Sequence, residues 1–225
     1  MVKVMQTWDD GLVADIDLIG ILRRHRAKAA FCLNPGLHQD GRSLSWVREG
    51  REIWRLSRGE LYAVYDGFEI WSHSLTHPDL TVLSREQLAW EARASRELLE
   101  EIFRRQVLGF AYPFNACNDV VKETVRAAGY RWARGPRPQE DDLPPGGPLC
   151  GDPLEFPPSC HFLAPDFWER YDRQRFRDGV FFFWGHSCEL VGTEMWQEFE
   201  ARIRGISLDP QAEWCFFHEL FPARQ

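Results

Sequence analysis

The chain has 225 residues, 27 Lys+Arg against 34 Asp+Glu, a formal charge of -7 and 44% hydrophobic residues. That length and apolar content suit a single domain spanning 1–225 with a sizeable core. The acidic balance gives no basic surface for nucleic acid or anionic lipid, and no apolar run is long enough to cross a bilayer.

The chain opens Met-Val-Lys-Val-Met-Gln and reaches Asp9 at once, so Val2–Trp8 reads as a strand and not as a signal-peptide core. With residue 1 as the native start, the expected compartment is the cytoplasm. Val13–Arg26 reads as a helix, with Ile16, Ile19 and Leu22 on one face and Arg23, Arg24 and Arg26 at its end. Ala29–Leu33 is a second strand, stopped by Asn34-Pro35-Gly36. Within Gly36–Gly67 the stretch Trp46–Leu56 is a candidate helix with loop on either side. Phe68–Ser72 is the third strand. Ser84-Arg85-Glu86-Gln87 is a capping box, opening a helix to about Arg105 whose stripe is Leu88, Ala92, Leu99, Ile102 and Phe103.

Val107–Tyr112 follows as a strand, and Asn118 caps a helix that Gly129 ends. Tyr130–Ala133 is strand-like. Gly135–Pro158, rich in Pro, Gly and acids, reads as surface loop. A helix near Asp166–Phe176, the apolar strand Val180–Trp184, a helix over Glu194–Ile203 and a strand over Glu213–Phe217 complete the chain. Such β/α alternation implies a mainly parallel sheet, open or closed into a barrel, with the functional site at the C-terminal ends of its strands. Six cysteines (Cys32, Cys117, Cys150, Cys160, Cys188, Cys215) form no C-x-x-C pair and read as free, mostly buried thiols.

Four predicted strands end in polar groups on that rim: Asp9-Asp10, His73 with His77, Tyr112-Pro113-Phe114-Asn115, and Gly185-His186-Ser187. Adjacent strand residues point to opposite faces, so two neighbouring carboxylates share a site only where the strand is ending, and Gly11 permits that turn. Taken alone, Asp9-Asp10 also fits a helix cap. The four-residue spacing of His73 and His77 puts two imidazoles on one face of a helical turn, and alone it also fits a surface pair. Together, one Asp and two His leave open coordination positions, which a catalytic metal needs. His186 follows a strand apolar enough to be buried, a position suited to proton transfer. Glu189 either orients a neighbouring His or caps the following loop. His25, His38, His161 and His218 lack such context and read as structural.

Thr7-Trp8-Asp9-Asp10-Gly11 resembles the first motif of the polysaccharide deacetylase family (carbohydrate esterase family 4), commonly Thr-Phe-Asp-Asp-Gly. His73-Ser74-Leu75-Thr76-His77 is similar to its second motif, H-[ST]-x-x-H. Phe110-Ala111-Tyr112-Pro113-Phe114 resembles the third in a variant without arginine, and Gly185-His186 falls where the last motif places its histidine. The matches run in order from residue 7 to 186. The resemblance implies a distorted (β/α) barrel of about seven strands. It implies a divalent metal held by Asp10, His73 and His77, with zinc expected and Co2+, Ni2+, Mn2+ or Fe2+ as alternatives.

On the same resemblance Asp9 is the base, His186 the acid, and the N–H near Phe114 part of an oxyanion site. Phe114, Tyr112, Arg134 and Trp184 are the expected oxyanion and substrate-binding residues. Three positions depart from the family pattern. Ala111 stands where Arg is common, with Arg134 as its candidate substitute. Asn115 stands where Gly is usual, and the Asp that supports the catalytic His has no clear counterpart. The expected reaction is hydrolysis of a C–N amide, as N-deacetylation of a small-molecule or oligosaccharide substrate. The alternatives are an amidohydrolase of a non-sugar amide or ureide on the same scaffold, and a non-catalytic carbohydrate-binding protein.

Overall fold

Eight residues of the first strand, Val2–Asp9, are buried apart from half-covered Lys3, the pattern of a strand with packing on both faces. The computed structural model describes residues 1–135 and 151–220, so the part of the expected Gly135–Pro158 loop at 136–150, with Cys150, lies outside the described residues. In chain order the elements are β1 (Val2–Asp9), α1 (Asp15–Arg24), β2 (Ala30–Leu33), β3 (Ser43–Arg48), β4 (Arg51–Arg55) and α2 (Leu61–Val64). They continue with β5 (Glu69–Ser72), α3 (Arg85–Phe103), β6 (Gly109–Ala111), α4 (Asp119–Ala127), β7 (Trp132–Arg134), β8 (Cys160–His161) and α5 (Phe167–Arg175). The last are β9 (Val180–Gly185), α6 (Gly192–Leu208), β10 (Ala212–Trp214) and α7 (Phe217–Leu220).

The main sheet runs β7-β6-β5-β2-β1-β9-β8, every pairing parallel, with β10 beside the first residues of β1. It curls into the expected distorted (β/α) barrel. One stretch of chain touches both of its edges: Phe156 bridges to Arg134 of β7, while Cys160–His161 pairs with β9. Strand alternation divides the core. Met5, Ala30, Cys32, Trp71, Ala111, Trp132 and Phe182 pack together inside the curl. Val4, Trp8, Phe31, Ile70, Phe110 and Phe183 pack outward against helix residues such as Leu22, Leu88, Val121 and Phe199.

Register then fixes the rim. Asp9 lies level with Cys32, Trp8 with Gly185, and Ser72 with both Leu33 and Phe110. The strands therefore end together, and the residues that follow them meet.

The expected helix over Trp46–Leu56 is instead the antiparallel hairpin of β3 and β4. Glu49 and Gly50 both have positive φ (51° and 75°), as a two-residue hairpin turn requires. The apolar positions Trp46, Val47, Ile53 and Trp54 fit a helical period loosely, but Trp, Val and Ile around a Gly-containing turn pair better as strands. The predicted Glu213–Phe217 strand is shorter, giving way to α7 at Phe217. Ile16, expected on the apolar stripe of α1, is exposed.

The helix caps follow the sequence. Ser84 Oγ accepts from Gln87 N and Gln87 Oε1 from Ser84 N, while Asn118 Oδ1 accepts from Val121 N.

At the end of β9, Gly185 packs under aromatic rings. A Cβ there would come within 2.1 Å of Phe162 Cδ1 and 3.2 Å of Trp8 Cζ3. Gly185→Ala should therefore cost about 1–3 kcal/mol through overpacking. Urea denaturation reads this directly, and an unchanged midpoint would contradict the packing.

Candidate active site

The strand breaks immediately after Asp9. Asp10 takes φ 82° and Gly11 φ 68°, and this left-handed pair lets both carboxylates face one rim. His38 fills the space beside Gly11, where a Cβ would meet its Cε1 at 2.5 Å.

Three imidazoles converge on the two acids through Nε2. His73 lies 3.9 Å from Asp9 Oδ2, and His77 lies 3.9 Å from Asp10 Oδ1. His186 lies 3.9 Å from Asp9 Oδ2 and 3.8 Å from Asp10 Oδ2. The ligand atoms of Asp10, His73 and His77 all lie within 4.8 Å of one another.

The two aspartates have different neighbours. Arg134 grips Asp9 with both ends of its guanidinium, Nη1 to Oδ1 at 2.9 Å and Nη2 to Oδ2 at 2.6 Å, with Thr7 Oγ1 also taking Nη1 at 2.9 Å. Both side chains of this pair are 1% exposed, and the Trp184 ring covers the guanidinium at 4.6 Å. Burial would push the Asp9 carboxyl up. Arg134, His73 and His186 outweigh it and hold the group well below the usual carboxylate range. Asp10 Oδ1, by contrast, is buried without a hydrogen-bond partner, with Arg55 Nη2 3.5 Å away.

His73 is pinned by its other nitrogen, since Nδ1 donates to Ala111 O at 2.7 Å and leaves the Nε2 lone pair facing the acids. Burial, with His77 alongside, pushes its pKa down to about 4, so it is neutral at ordinary pH. A buried unpartnered carboxylate oxygen and a neutral, tethered imidazole fit a divalent cation, and the oxygen and nitrogen donor set suits zinc and its neighbours.

The helical turn expected for His73–His77 is absent. Ser74 and His77 both take positive φ (63° and 61°), and a tight loop brings the two rings to 4.7 Å. Side chains hold that loop. Glu91 accepts from Leu75 N and Thr76 N, each at 2.9 Å, and from Thr76 Oγ1 at 2.6 Å. Asn34 Nδ2 donates to His73 O, and Ser74 Oγ accepts from His77 N at 3.0 Å. Glu91 is visible in the sequence only as a lone acid on the buried stripe of α3, between Leu88 and Ala92.

Glu189 performs both roles open to it. Its Oε2 accepts from His186 N at 3.0 Å and lies 3.3 Å from His186 Nδ1. His161, read from sequence as structural, donates Nε2 to the same oxygen at 2.9 Å, and Arg48 reaches Oε1 at 3.2 Å. Burial opposes the charge on Glu189, but the two histidines hold its pKa well below the usual range. Burial likewise lowers His186, but Glu189, Asp9 and Asp10 together raise its pKa above the ordinary value. Behind it, Asp15 ties the rim loops together by accepting from Ser187 Oγ, Tyr65 OH and Leu12 N. Burial pushes Asp15 up to about 7.

The expected substrate-binding residues divide. The Phe114 ring is exposed and meets His77 edge-on at 4.7 Å, on a turn with φ 58°. Trp184 lines the rim between Arg134 and His186. Tyr112 does not join them. Its side chain is fully buried and its hydroxyl donates to Leu154 O at 3.0 Å, because strand alternation turns it outward under the helices. Arg134 is spent on Asp9 and presents no free face to a ligand.

The family model described as polysaccharide deacetylase matches residues 2–133, a span containing Asp9, Asp10, His73 and His77. No curated protein matches the chain. Among solved structures, the Xyl-CE4 domain of a multidomain xylanase from the hindgut metagenome of Trinervitermes trinervoides aligns over 98% of this chain and 90% of that one, at 17% identity and TM-score 0.58. A CE4 family pseudoenzyme from Bacillus anthracis aligns over 90% of this chain and 59% of that one, at 15% identity and TM-score 0.54. Streptococcus pyogenes deacetylase PplD aligns over 58% of this chain, at 21% identity and TM-score 0.50, and this chain spans 54% of its length. These likenesses establish the fold. A pseudoenzyme shares it, so the fold alone does not carry activity.

Arg134→Met strands the Asp9 carboxylate in a dry site and should destabilise the protein by about 3–5 kcal/mol. Adding Asp9→Asn removes the stranded charge, so the double variant should recover part of that loss in urea melts. Strict additivity of the two changes would show that they do not interact.

Proposed function

Given that the chain belongs to the polysaccharide deacetylase family, we propose that it hydrolyses the acetamide of an N-acetylated carbohydrate, using Asp10, His73 and His77 to hold a divalent cation, zinc being expected. One observation carries this reading. Three Nε2 atoms converge on two adjacent carboxylates, of which Asp9 is gripped by both ends of Arg134, while Asp10 has Arg55 only at 3.5 Å and keeps a buried oxygen without a hydrogen bond. Asp10 is thus the acid left for a cation, and Asp9 the one kept apart from it.

Bound there, such a cation supplies Lewis acidity to the acetyl carbonyl and to the attacking water. Asp9 stays ionised at any working pH, and its Oδ2 has a second lone pair beyond the one used by Arg134, so it takes the proton of that water. Glu189, Asp9 and Asp10 favour the protonated form of His186, which serves as the acid. Glu189 occupies Nδ1, directing the Nε2 proton into the cleft, where the departing sugar nitrogen receives it. The amide C–N bond breaks, and acetate and the free amine leave. The backbone N–H at Phe114, on its strained turn at the end of β6, is the proposed donor to the developing oxyanion.

His73→Ala with His77→Ala should abolish stoichiometric metal in elemental analysis and stop acetate release. Dialysis of the native protein against a chelator should do the same, with activity restored by Zn2+. Unchanged metal content and turnover in the double variant would exclude the assignment. If ammonia or a ring-opened product appears instead of acetate, the scaffold serves a different amide.

The Glu189 contact also predicts a pH effect. His186 acts while protonated, so activity falls as pH rises through its pKa, which Glu189 helps to raise. Glu189→Gln should therefore move the alkaline limb of the kcat/KM profile to lower pH. A limb that stays in place would mean that His186 is not the acid or that Glu189 does not set its proton affinity.

A further inference from the structure

The β3–β4 hairpin is fastened to the turn that carries Asp10. Val13 N donates to Trp54 O at 2.8 Å, Leu56 N donates to Gly11 O at 3.1 Å, and Leu12 pairs with Arg55 in an antiparallel bridge. This pairing brings the Arg55 side chain to the rim. There it is buried, with the Trp46 ring 5.6 Å from its guanidinium.

Arg55 meets Asp10 differently from the way Arg134 meets Asp9. Its Nη1 donates to the main-chain O of Asp10 and to Asn34 Oδ1 at 3.4 Å, and its Nε donates to Ser45 Oγ at 2.8 Å. Only Nη2 faces the carboxylate, 3.5 Å from Oδ1, and that oxygen stays without a hydrogen bond. The guanidinium thus spends most of its donors on neutral acceptors. It leaves open the carboxylate oxygen that His77 approaches.

The main chain at Asp10 needs a brace, because φ 82° is a conformation that residues with side chains rarely adopt. Asp10 N donates to Cys32 O at 2.9 Å, and Arg55 secures the carbonyl of the same residue. Asn34, the other partner of Nη1, donates Nδ2 to His73 O, while His73 N donates to Leu33 O at 2.9 Å. One guanidinium therefore joins the main chains of two of the three proposed metal ligands.

We propose that Arg55 is a positioning residue for cation binding, holding Asp10 directly and His73 through Asn34. This rests on the reading of Asp10, His73 and His77 as the cation site. Outer partners that hold ligands in place typically set metal affinity by about 10- to 100-fold. An arginine acting only as a charge beside the site would do the reverse and repel the cation.

The two roles are separated by titrating chelator-stripped protein with Zn2+ alone, in competition with a chromophoric chelator at neutral pH. Arg55→Gln removes the charge and Arg55→Lys keeps it, while both lose the planar fork. Each should bind Zn2+ roughly 10- to 100-fold more weakly than the native protein, with a native circular dichroism spectrum. Equal or tighter binding by folded Arg55→Gln, or native affinity in Arg55→Lys, overturns the assignment. Should neither variant fold, Ser45→Ala decides, since it removes only the Nε acceptor. Several-fold weaker Zn2+ binding sustains the brace, and native affinity overturns it. The titration needs no turnover, so it decides even if no acetate is released. Native protein that takes up no Zn2+ sinks the three-ligand reading and Arg55 with it, whereas native uptake with undiminished affinity in the variants overturns Arg55 alone.

Discussion

The Asp9–Arg134 pair joins the first strand to the seventh inside the barrel, with both partners almost wholly excluded from water. Two charges so buried are stable only with close geometry and further hydrogen bonds, and here both guanidinium ends, Thr7 and the face of Trp184 provide them. The pair sets the charge balance of the rim. With Asp9 held bidentate by Arg134, Asp10 is the carboxylate left with the looser contact, Arg55 at 3.5 Å, and an oxygen without a hydrogen bond. A single arginine thereby gives two adjacent aspartates unlike environments, on which the proposed division of labour depends.

Around that pair, side chains hold the functional groups in place. Ala111 O fixes the His73 ring, Glu91 and Asn34 fix the loop to His77, and Glu189 with His161 fixes the His186 ring. Little reorganisation is left for the moment of reaction, which is how a polar site gains most from its dipoles. The β3–β4 hairpin adds a wall beside them. It reaches the site through Arg55, which donates to Asp10 O, and through Arg48, which meets Glu189.

Much of this was legible along the chain. The order of strands and helices, the capping residues Ser84 and Asn118, and the clustering of Asp9, Asp10, His73, His77 and His186 on one rim follow from local pattern. That pattern is period-two burial, 3.6-residue stripes and the rule that parallel sheets place their sites at strand ends. The Trp46–Leu56 segment is ambiguous along the chain, since Trp46, Val47, Ile53 and Trp54 satisfy both periods loosely, and strand pairing decides for the hairpin. The His73–His77 spacing suggested a helical turn, but two left-handed residues and the Glu91 carboxylate make it a loop.

The sequence by itself determined which residue types gather and at which end of the sheet, because spacing and hydrophobic period are properties of the local chain. Only the tertiary structure decided who partners whom. Arg134 lies 125 positions from Asp9, His161 lies 28 from Glu189, and Arg48 lies 141 from Glu189. The Tyr112 hydroxyl likewise finds its partner, Leu154 O, 42 positions away. Charge pairing and burial act through space, so the unlike environments of Asp9 and Asp10 exist only once the barrel has curled.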